Sequence, residues 1–301
     1  MGSSTTNRFA YSAVIATLDR PALLSAALDS LVQQTRPPSW IIVVDASPKD
    51  ETKAVVDRLR DRAPMLYLRS PTQSAAQQRN LGAASVSTPF IAFIDDDVVL
   101  PAQTFSRLVA PFEGENGEDV GGVAGRIQDL GHSKPRGLLW WYYRLQAGYP
   151  HPNFGARLMG AAVNTLPCYE EQSGLIPSDW LNTTCVLYRT DLFLRERFPD
   201  FKGYSFMEDV HLSARIAKTH RLYFDGEAIY EHYSAPTAFK QNQAAHAAAA
   251  IQNRRIVARD VLSIRGFELE LKMLLHRLFC TVAFARSRKE GWLSAVRGTW
   301  S

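Results

Sequence analysis

The chain has 301 residues, 46% hydrophobic and 21% charged, the composition of a soluble globular protein with room for one large α/β domain or two modest ones. Its three cysteines, Cys168, Cys185 and Cys280, have no metal-type spacing and imply no disulfide framework, which fits a reducing compartment. Net charge is +4, but ten Lys or Arg against four Asp or Glu lie from Ala250 onward, giving +6 there and −2 elsewhere. That excess points to a local anionic partner near the C-terminus rather than to a generally basic, nucleic-acid-binding chain.

The start, "MGSSTT", matches the loose myristoylation pattern and is read as a disordered stretch over residues 1–8. No secretory signal is expected, because no charged segment leads into an apolar one. "YSAVIATL" then reads as a strand. "DRPALLSAALDSLVQQT" reads as a helix with Leu23, Leu24, Ala27, Leu28, Leu31 and Val32 on its apolar face, Asp19 as its cap and Pro21 in its first turn. "WIIVVDAS" is a buried strand ending in Asp45, "DETKAVVDRLRDRA" a helix, "MLYLRS" a strand and "SAAQQRNLGAAS" a helix. "FIAFIDDD" is the fourth strand. The β-α-β-α-β-α-β order predicts a mainly parallel, Rossmann-like sheet flanked by helices. Ligands of such sheets gather at the carboxyl ends of the strands, where Thr17, Asp45 and Asp95, Asp96 and Asp97 all fall. Three adjacent carboxylates after a buried strand repel one another and resist desolvation, so they need a purpose.

The middle is less regular. "VGGVAGRI" reads as a strand, whereas residues 132–177, rich in Pro, Gly and aromatics, suit either a lid or acceptor wall, or covering structure. "WLNTTCVLYR" is a strand followed by a helix from Thr190. "GYSFMEDVHLSARIAKTH" is a loop entering a helix, and "RLYFDGEAIYEHY" one or two strands. Long helices are expected from about Phe239 to Leu262 and from about Glu268 to Arg286.

Taken in order, these motifs resemble glycosyltransferase family 2, enzymes of the GT-A fold, over roughly residues 9 to 235. "VIATLDRPALLSAALDSLVQQT" is similar to that family's opening strand and helix. "VVDAS" stands where Asp-Asp-Gly-Ser is usual, and "QQRNLGAA" is similar to the Arg-Asn-x-Gly helix. "IDDD" resembles the Asp-x-Asp motif, "MEDVHLSARI" the Glu-Asp motif, and "EHYSAP" the site of a late His. "DAS" lacks one acid and the glycine, and "ATLDR" lacks the usual Pro and Asn. The resemblance implies a GT-A catalytic domain over 9–237, with a nucleotide-binding part over 9–130 and an acceptor-binding part over 131–237. A C-terminal helical extension would follow over 238–301.

The resemblance also implies the chemistry. A sugar moves from a nucleotide diphosphate to a hydroxyl, and a divalent cation, Mg2+ or Mn2+, offsets charge growing on the diphosphate. Asp97 and Asp95, with His232, are the expected metal ligands. Asp95 and Asp96 would also meet ribose or sugar hydroxyls. Asp45 would accept from the imide of a uracil or thymine, hence a UDP- or dTDP-linked donor, with Thr17, Arg20 and Arg79 beside the nucleotide. Asp209 is the expected general base, since an acceptor hydroxyl is a poor nucleophile until its proton is taken, and Glu208 would tune it. Trp180 and Asn182 would line the sugar or acceptor pocket. Plainer roles stand beside these: Asp97 as a helix cap, Asp45 as a turn former, Arg79 as a surface charge, and Glu208 and Asp209 as favourable helix-start residues.

The expected activity is therefore inverting glycosyl transfer to a glycan or lipid-linked acceptor. The alternatives are a sugar-1-phosphate nucleotidyltransferase and a non-catalytic nucleotide-binding protein. "ATLDRPALL" lacks the Gly-rich loop the former needs, and the two acidic motifs argue against the latter. The helix "FELELKMLLHRLFCTVAFARSRK" is too short in its uncharged run to span a bilayer. Its apolar end and basic tail fit either peripheral attachment to an anionic inner leaflet or packing on the domain or a partner, in an otherwise cytoplasmic protein.

Overall fold

A computed structural model describes residues 8–131, 133–148, 154–201, 206–234, 242–287 and 290–301. The myristoylation-like start, most of the loop before Met207, and the basic pair Arg288 and Lys289 lie outside the described residues.

The first hundred residues fold as the periodicity predicts. β1 (Tyr11–Thr17), α1 (Pro21–Val32), β2 (Trp40–Asp45), α2 (Glu51–Leu59), β3 (Met65–Arg69), α3 (Ala75–Ala83) and β4 (Phe90–Asp95) alternate in order. β1 pairs in parallel with β2 and β4, and β2 with β3. Alternate strand residues serve opposite faces, as the two-residue strand period requires. Tyr11, Ala13 and Ile15 face α1, α2 and α4 (Thr104–Glu113), together with Ile41, Val43, Phe90 and Ala92. Val14, Ile42, Val44, Ile91 and Phe93 face α3 and the later helices. Gly82 lets α3 approach the sheet: a Cβ there would lie 2.5 Å from Val14 Cγ1 and 2.9 Å from Val44 Cγ2.

The second half is mixed rather than parallel. After the short β5 (Val98–Val99) and β6 (Val120–Ile127), the chain forms α5 (Gly137–Ala147), the small β7 (Leu158–Met159) and β8 (Val163–Asn164), and β9 (Leu175–Ser178). β10 (Cys185–Arg189), α6 (Thr190–Glu196), α7 (Glu208–Ile216) and the long β11 (Arg221–His232) follow. The strand order is β3-β2-β1-β4-β10-β6-β11-β5, and β9 adds to β11. β10 enters antiparallel to both β4 and β6, so the sheet changes direction immediately beside the triple aspartate. Phe93 packs there against Tyr188, Phe193 and Phe198 in tilted and edge-on pairs at centroid distances of 4.6 to 6.5 Å. Each buried aromatic of this kind contributes roughly 1.5–3 kcal/mol.

The C-terminal helices are α8 (Gln243–Asp260), α9 (Gly266–Ser287) and α10 (Trp292–Trp300). They pack onto the domain. Ile251, Val257, Ala258, Leu269 and Met273 join the same apolar cluster as Val14 and Phe93. Lys272 Nζ donates to the carbonyls of Leu145 and Gln146 at the end of α5, where orphan helix carbonyls need partners. Tyr142 stacks on Phe279 at 4.0 Å, and its hydroxyl lies 2.6 Å from His276 Nδ1. Among the described residues no helix is long and apolar enough to cross a membrane.

Candidate active site

The carboxyl ends of β1, β2 and β4 converge as sheet topology demands, and their polar residues meet. Thr17 Oγ1 donates to Asp96 Oδ2 at 2.7 Å. Arg20 follows Asp19, whose φ of 53° is left-handed, and its guanidinium bridges Asp96 at 3.0 Å and Asp97 at 3.3 Å. The expected capping role of Asp19 is not seen. Arg20 is the N-cap of α1 without a side-chain capping bond, and the Asp19 amide donates to Ser47 Oγ at 2.8 Å instead. Burial, opposed by the Thr17 hydrogen bond and the Arg20 charge, pushes the Asp96 carboxyl up to about 6.

Asp97 Oδ1 lies 3.1 Å from His232 Nε2, which the end of β11 carries over the aspartates. β11 reaches them because it pairs with β5 directly after the triple aspartate, Glu231 against Val99 and His232 against Val98. One donor atom from each of Asp95, Asp97 and His232 falls within 4.8 Å of the others. Two carboxylates and an imidazole are a donor set that suits Mn2+, and Mg2+ through the oxygens. These residues therefore fit the cation that the resemblance implied.

Asp95 turns the other way, toward Arg79, whose NH2 is 2.7 Å from Asp95 Oδ1 and whose NH1 is 3.4 Å from Glu208 Oε1. Arg79 was expected at the nucleotide or on the surface. It is instead buried, 6% exposed, between a metal-ligand candidate and the Glu-Asp motif 129 residues later. Burial opposes its charge, and the carboxylates of Asp95 and Glu208 more than restore it.

Asp45 is fully buried. Its Oδ1 accepts from the Ser47 amide at 2.8 Å and from the Ser47 hydroxyl, and its Oδ2 accepts from Tyr67 at 2.6 Å and Arg69 at 3.5 Å. Both oxygens are engaged, so Asp45 shapes the turn beneath a recess lined by Asp19, Pro21, Ser47, Lys49, Glu51 and Thr52. Tyr67 and Arg69 were not anticipated. The signal was present: they alternate along β3, and Arg69 sits in register with Asp45.

The Glu208–Asp209 pair opens α7, after Met207 in a left-handed conformation with φ of 73°. Asp209 Oδ1 accepts from the Val210 amide at 2.7 Å, a favourable place for an anion at a helix start. Burial, and next the charge of Glu208, nevertheless push the Asp209 carboxyl up to about 7. Burial also raises Glu208, against the pull of Arg79. Asp209 borders a cavity of about 400 Å³ whose walls include Leu166, Trp180, Asn182 and Phe206. Trp180 is a buried wall, its indole donating to Thr165 O at 3.0 Å. Asn182 Oδ1 is buried with no hydrogen-bond partner among the described residues. The structure thus brings two groups of predicted residues together. Thr17, Arg20, Asp95, Asp96, Asp97 and His232 form one group, and Trp180, Asn182, Glu208 and Asp209 the other, with Arg79 between them.

Comparisons with known proteins bear on the family and the fold. Over 107 residues the chain is 34% identical to validoxylamine A glucosyltransferase of Streptomyces hygroscopicus, covering 34% of this chain and 24% of that protein. Over 101 residues it is 32% identical to the GalNAc(5)-diNAcBac-PP-undecaprenol beta-1,3-glucosyltransferase of Campylobacter jejuni, covering 33% of each. The matches span a quarter to a third of those relatives' length. Among solved structures, S. aureus TarS in complex with UDP-GlcNAc aligns with TM-score 0.59 at 17% identity, over 94% of this chain and 75% of that one. The Pyrobaculum calidifontis mannosyltransferase in complex with GDP-Man and Mn2+ aligns at 0.54 and 13%, over 96% and 84%. At such identities these two establish the fold, which is GT-A-like. The model of glycosyl transferase family 2 matches residues 12–163, half of the sequence, and the chain belongs to that family.

Proposed function

We propose that this glycosyltransferase moves a sugar, with inversion, from a UDP- or dTDP-linked donor to a hydroxyl of a glycan or lipid-linked acceptor. The observation that carries the reading is the pair of acidic centres joined by Arg79: Asp95, Asp97 and His232 on one side, Glu208 and Asp209 on the other. Asp95, Asp97 and His232 would hold Mg2+ or Mn2+. When bound, the ion supplies positive charge to the diphosphate leaving group. Asp209 takes the acceptor proton while the acceptor oxygen bonds to the anomeric carbon and the bond to the diphosphate breaks. A single displacement of this kind inverts the anomeric centre. Arg20, paired with Asp96 and Asp97 in this structure, would turn to a bound diphosphate as its partner. Direct contact of the base with Asp45 requires displacement of Tyr67 or Arg69, whose bonds hold Oδ2.

The UDP-GlcNAc complex of TarS supports a UDP-linked donor, the GDP-Man and Mn2+ complex of the Pyrobaculum enzyme a nucleotide-sugar donor and the ion, and the undecaprenol-linked relative the acceptor class. Peripheral contact with an anionic inner membrane face belongs to the same reading. α9 turns Leu269, Lys272, Met273 and His276 inward and leaves Phe267, Leu271, Leu274, Leu278 and Val282 exposed. A donor screen tests the proposal. With Mn2+ present, a UDP- or dTDP-sugar should raise the melting temperature and be slowly hydrolysed. If no pyrimidine diphosphate sugar does either, the donor assignment fails.

A further inference from the structure

Helix α8 follows the matched family region and reads, in sequence, as an appendage. Its side chains reach into the cavity wall beside Asp209. Asn253 is buried and donates from Nδ2 to the carbonyl of Phe206 at 2.9 Å. Arg254 donates from one terminal nitrogen to the carbonyl of Ala162 and from the other to Asn164 Oδ1 at 3.2 Å. Its guanidinium also lies 5.6 Å from the Phe206 ring centroid. Asn164 and Phe206 both line the 400 Å³ cavity that Asp209 borders, though Arg254 itself does not. Phe206 directly precedes Met207, the left-handed residue from which Glu208 and Asp209 start α7.

Hydrogen-bonding chemistry gives these contacts a direction. An arginine only donates, so the Asn164 atom facing it is the amide oxygen, and the Asn164 amide nitrogen is turned away with its donors. Asn182 lines the same cavity, and its buried Oδ1 is an acceptor without a partner among the described residues. A donor and an unsatisfied acceptor on two asparagines of one cavity match a hydroxyl group, which both donates and accepts. Leu130, Leu166, Phe206 and Val210 supply apolar surface for the face of a sugar ring. Resting on the glycosyltransferase reading, we propose that this cavity takes a neutral sugar ring of the acceptor. Arg254 and Asn253 of α8 are its positioning residues: they set the Asn164 amide and the Phe206 wall against the hydroxyl that Asp209 deprotonates.

The test uses the full chain with UDP and Mn2+, and methyl α-glucoside, methyl β-N-acetylglucosaminide and methyl β-galactoside as probes. Saturation-transfer NMR should detect at least one of them on the wild type. Arg254→Met, which keeps the apolar stem but loses both hydrogen bonds, should weaken that probe at least about tenfold, the usual loss when a buried polar partner is orphaned. Its affinity for UDP should not change. Arg254→Lys should recover part of the loss. Asn164→Ala should weaken the probe as much as Arg254→Met, and the double variant should do little more, because one contact is removed twice. Asn164→Ala lies outside α8, so it reads the same contact if Arg254→Met does not fold. The proposal is overturned if no methyl glycoside binds the wild type, or if Asn164→Ala binds the probe as the wild type does. Additive effects of the two substitutions would overturn the Arg254 role. If sugar binding behaves as expected but no nucleotide sugar is hydrolysed, the cavity assignment stands and the transferase reading falls.

Discussion

Replacing Asp209 by Asn should make the protein more stable and almost inactive, and the size of the first effect should depend on pH. The carboxyl titrates near 7 in the folded chain and near 3.8 when free, with burial the main cause and Glu208 the next. Between those values the folded protein holds a proton that the unfolded chain has released. Stability therefore falls as pH rises from about 4 to about 7, and above 7 the full cost of the buried charge is present. The difference corresponds to roughly 4 kcal/mol. Asp209 is only half-buried and shares its penalty with Glu208, so about 1–3 kcal/mol is the expected gain for Asn at pH 8. In a chain of this size that is a rise of roughly 2–5 °C in melting temperature. At pH 4.5 most of the gain should vanish, because the wild-type carboxyl is then protonated too. Asn keeps the oxygen that accepts from the Val210 amide, so the start of α7 should be retained. Thermal melts of both proteins from pH 4.5 to 8, without nucleotide or metal, measure the effect. Transfer should fall about a hundredfold or more while donor binding persists, and wild-type kcat/KM should rise with pH through about 7. A constant difference in melting temperature across this range would refute the buried-charge argument. A transfer rate close to wild type would refute the base assignment, and Glu208→Gln would then be the variant to measure.

Asp97→Asn should reduce metal-dependent donor affinity by at least about tenfold, seen by calorimetry with Mn2+ titrated in, since loss of even an outer partner of a metal site has that effect. Unchanged affinity would make the triple aspartate a structural turn. Arg79→Met leaves Asp95 and Glu208 without their shared cation, and should cost about 2–4 kcal/mol in urea unfolding, somewhat below a fully buried pair because Asp95 is partly exposed. Gly82→Ala brings a methyl against Val14 and Val44, and should destabilise by about 1–2 kcal/mol even though Ala favours helix. A neutral or stabilising result would mean that α3 can shift away from the sheet. Leu278→Glu, on the exposed face of α9, should leave the melting temperature unchanged while lowering co-sedimentation with anionic phosphatidylglycerol vesicles. Equal recovery of both proteins with those vesicles would count against membrane contact.

What the sequence determined by itself was local. The two-residue alternation of Tyr11 to Thr17 and the helical spacing of Leu24, Leu28 and Leu31 each report which side of one element is apolar, so the order of strands and helices to Asp95 could be read from them. Strand ends placed Thr17, Asp45 and the triple aspartate on one rim, and the resemblance to the family's Glu-Asp motif marked Glu208 and Asp209. The remainder depended on contacts between distant segments, to which periodicity is blind. The insertion of β10 between β4 and β6, and its antiparallel sense, follow from how two halves of the chain pack. α10 buries the small Ala295, Gly298 and Thr299 rather than a stripe of large apolar residues, and α5, with apolar residues around most of its surface, offered no single stripe until α9 covered part of it. A charge has no period at all. Arg79 reads as a helix-surface cation until Asp95 and Glu208 close around it, and Arg254 as one more basic residue of a C-terminal helix until α8 docks beside Asn164. The tertiary structure decided those partners because a buried ion must find its counter-charge or its hydrogen bonds wherever the fold brings them.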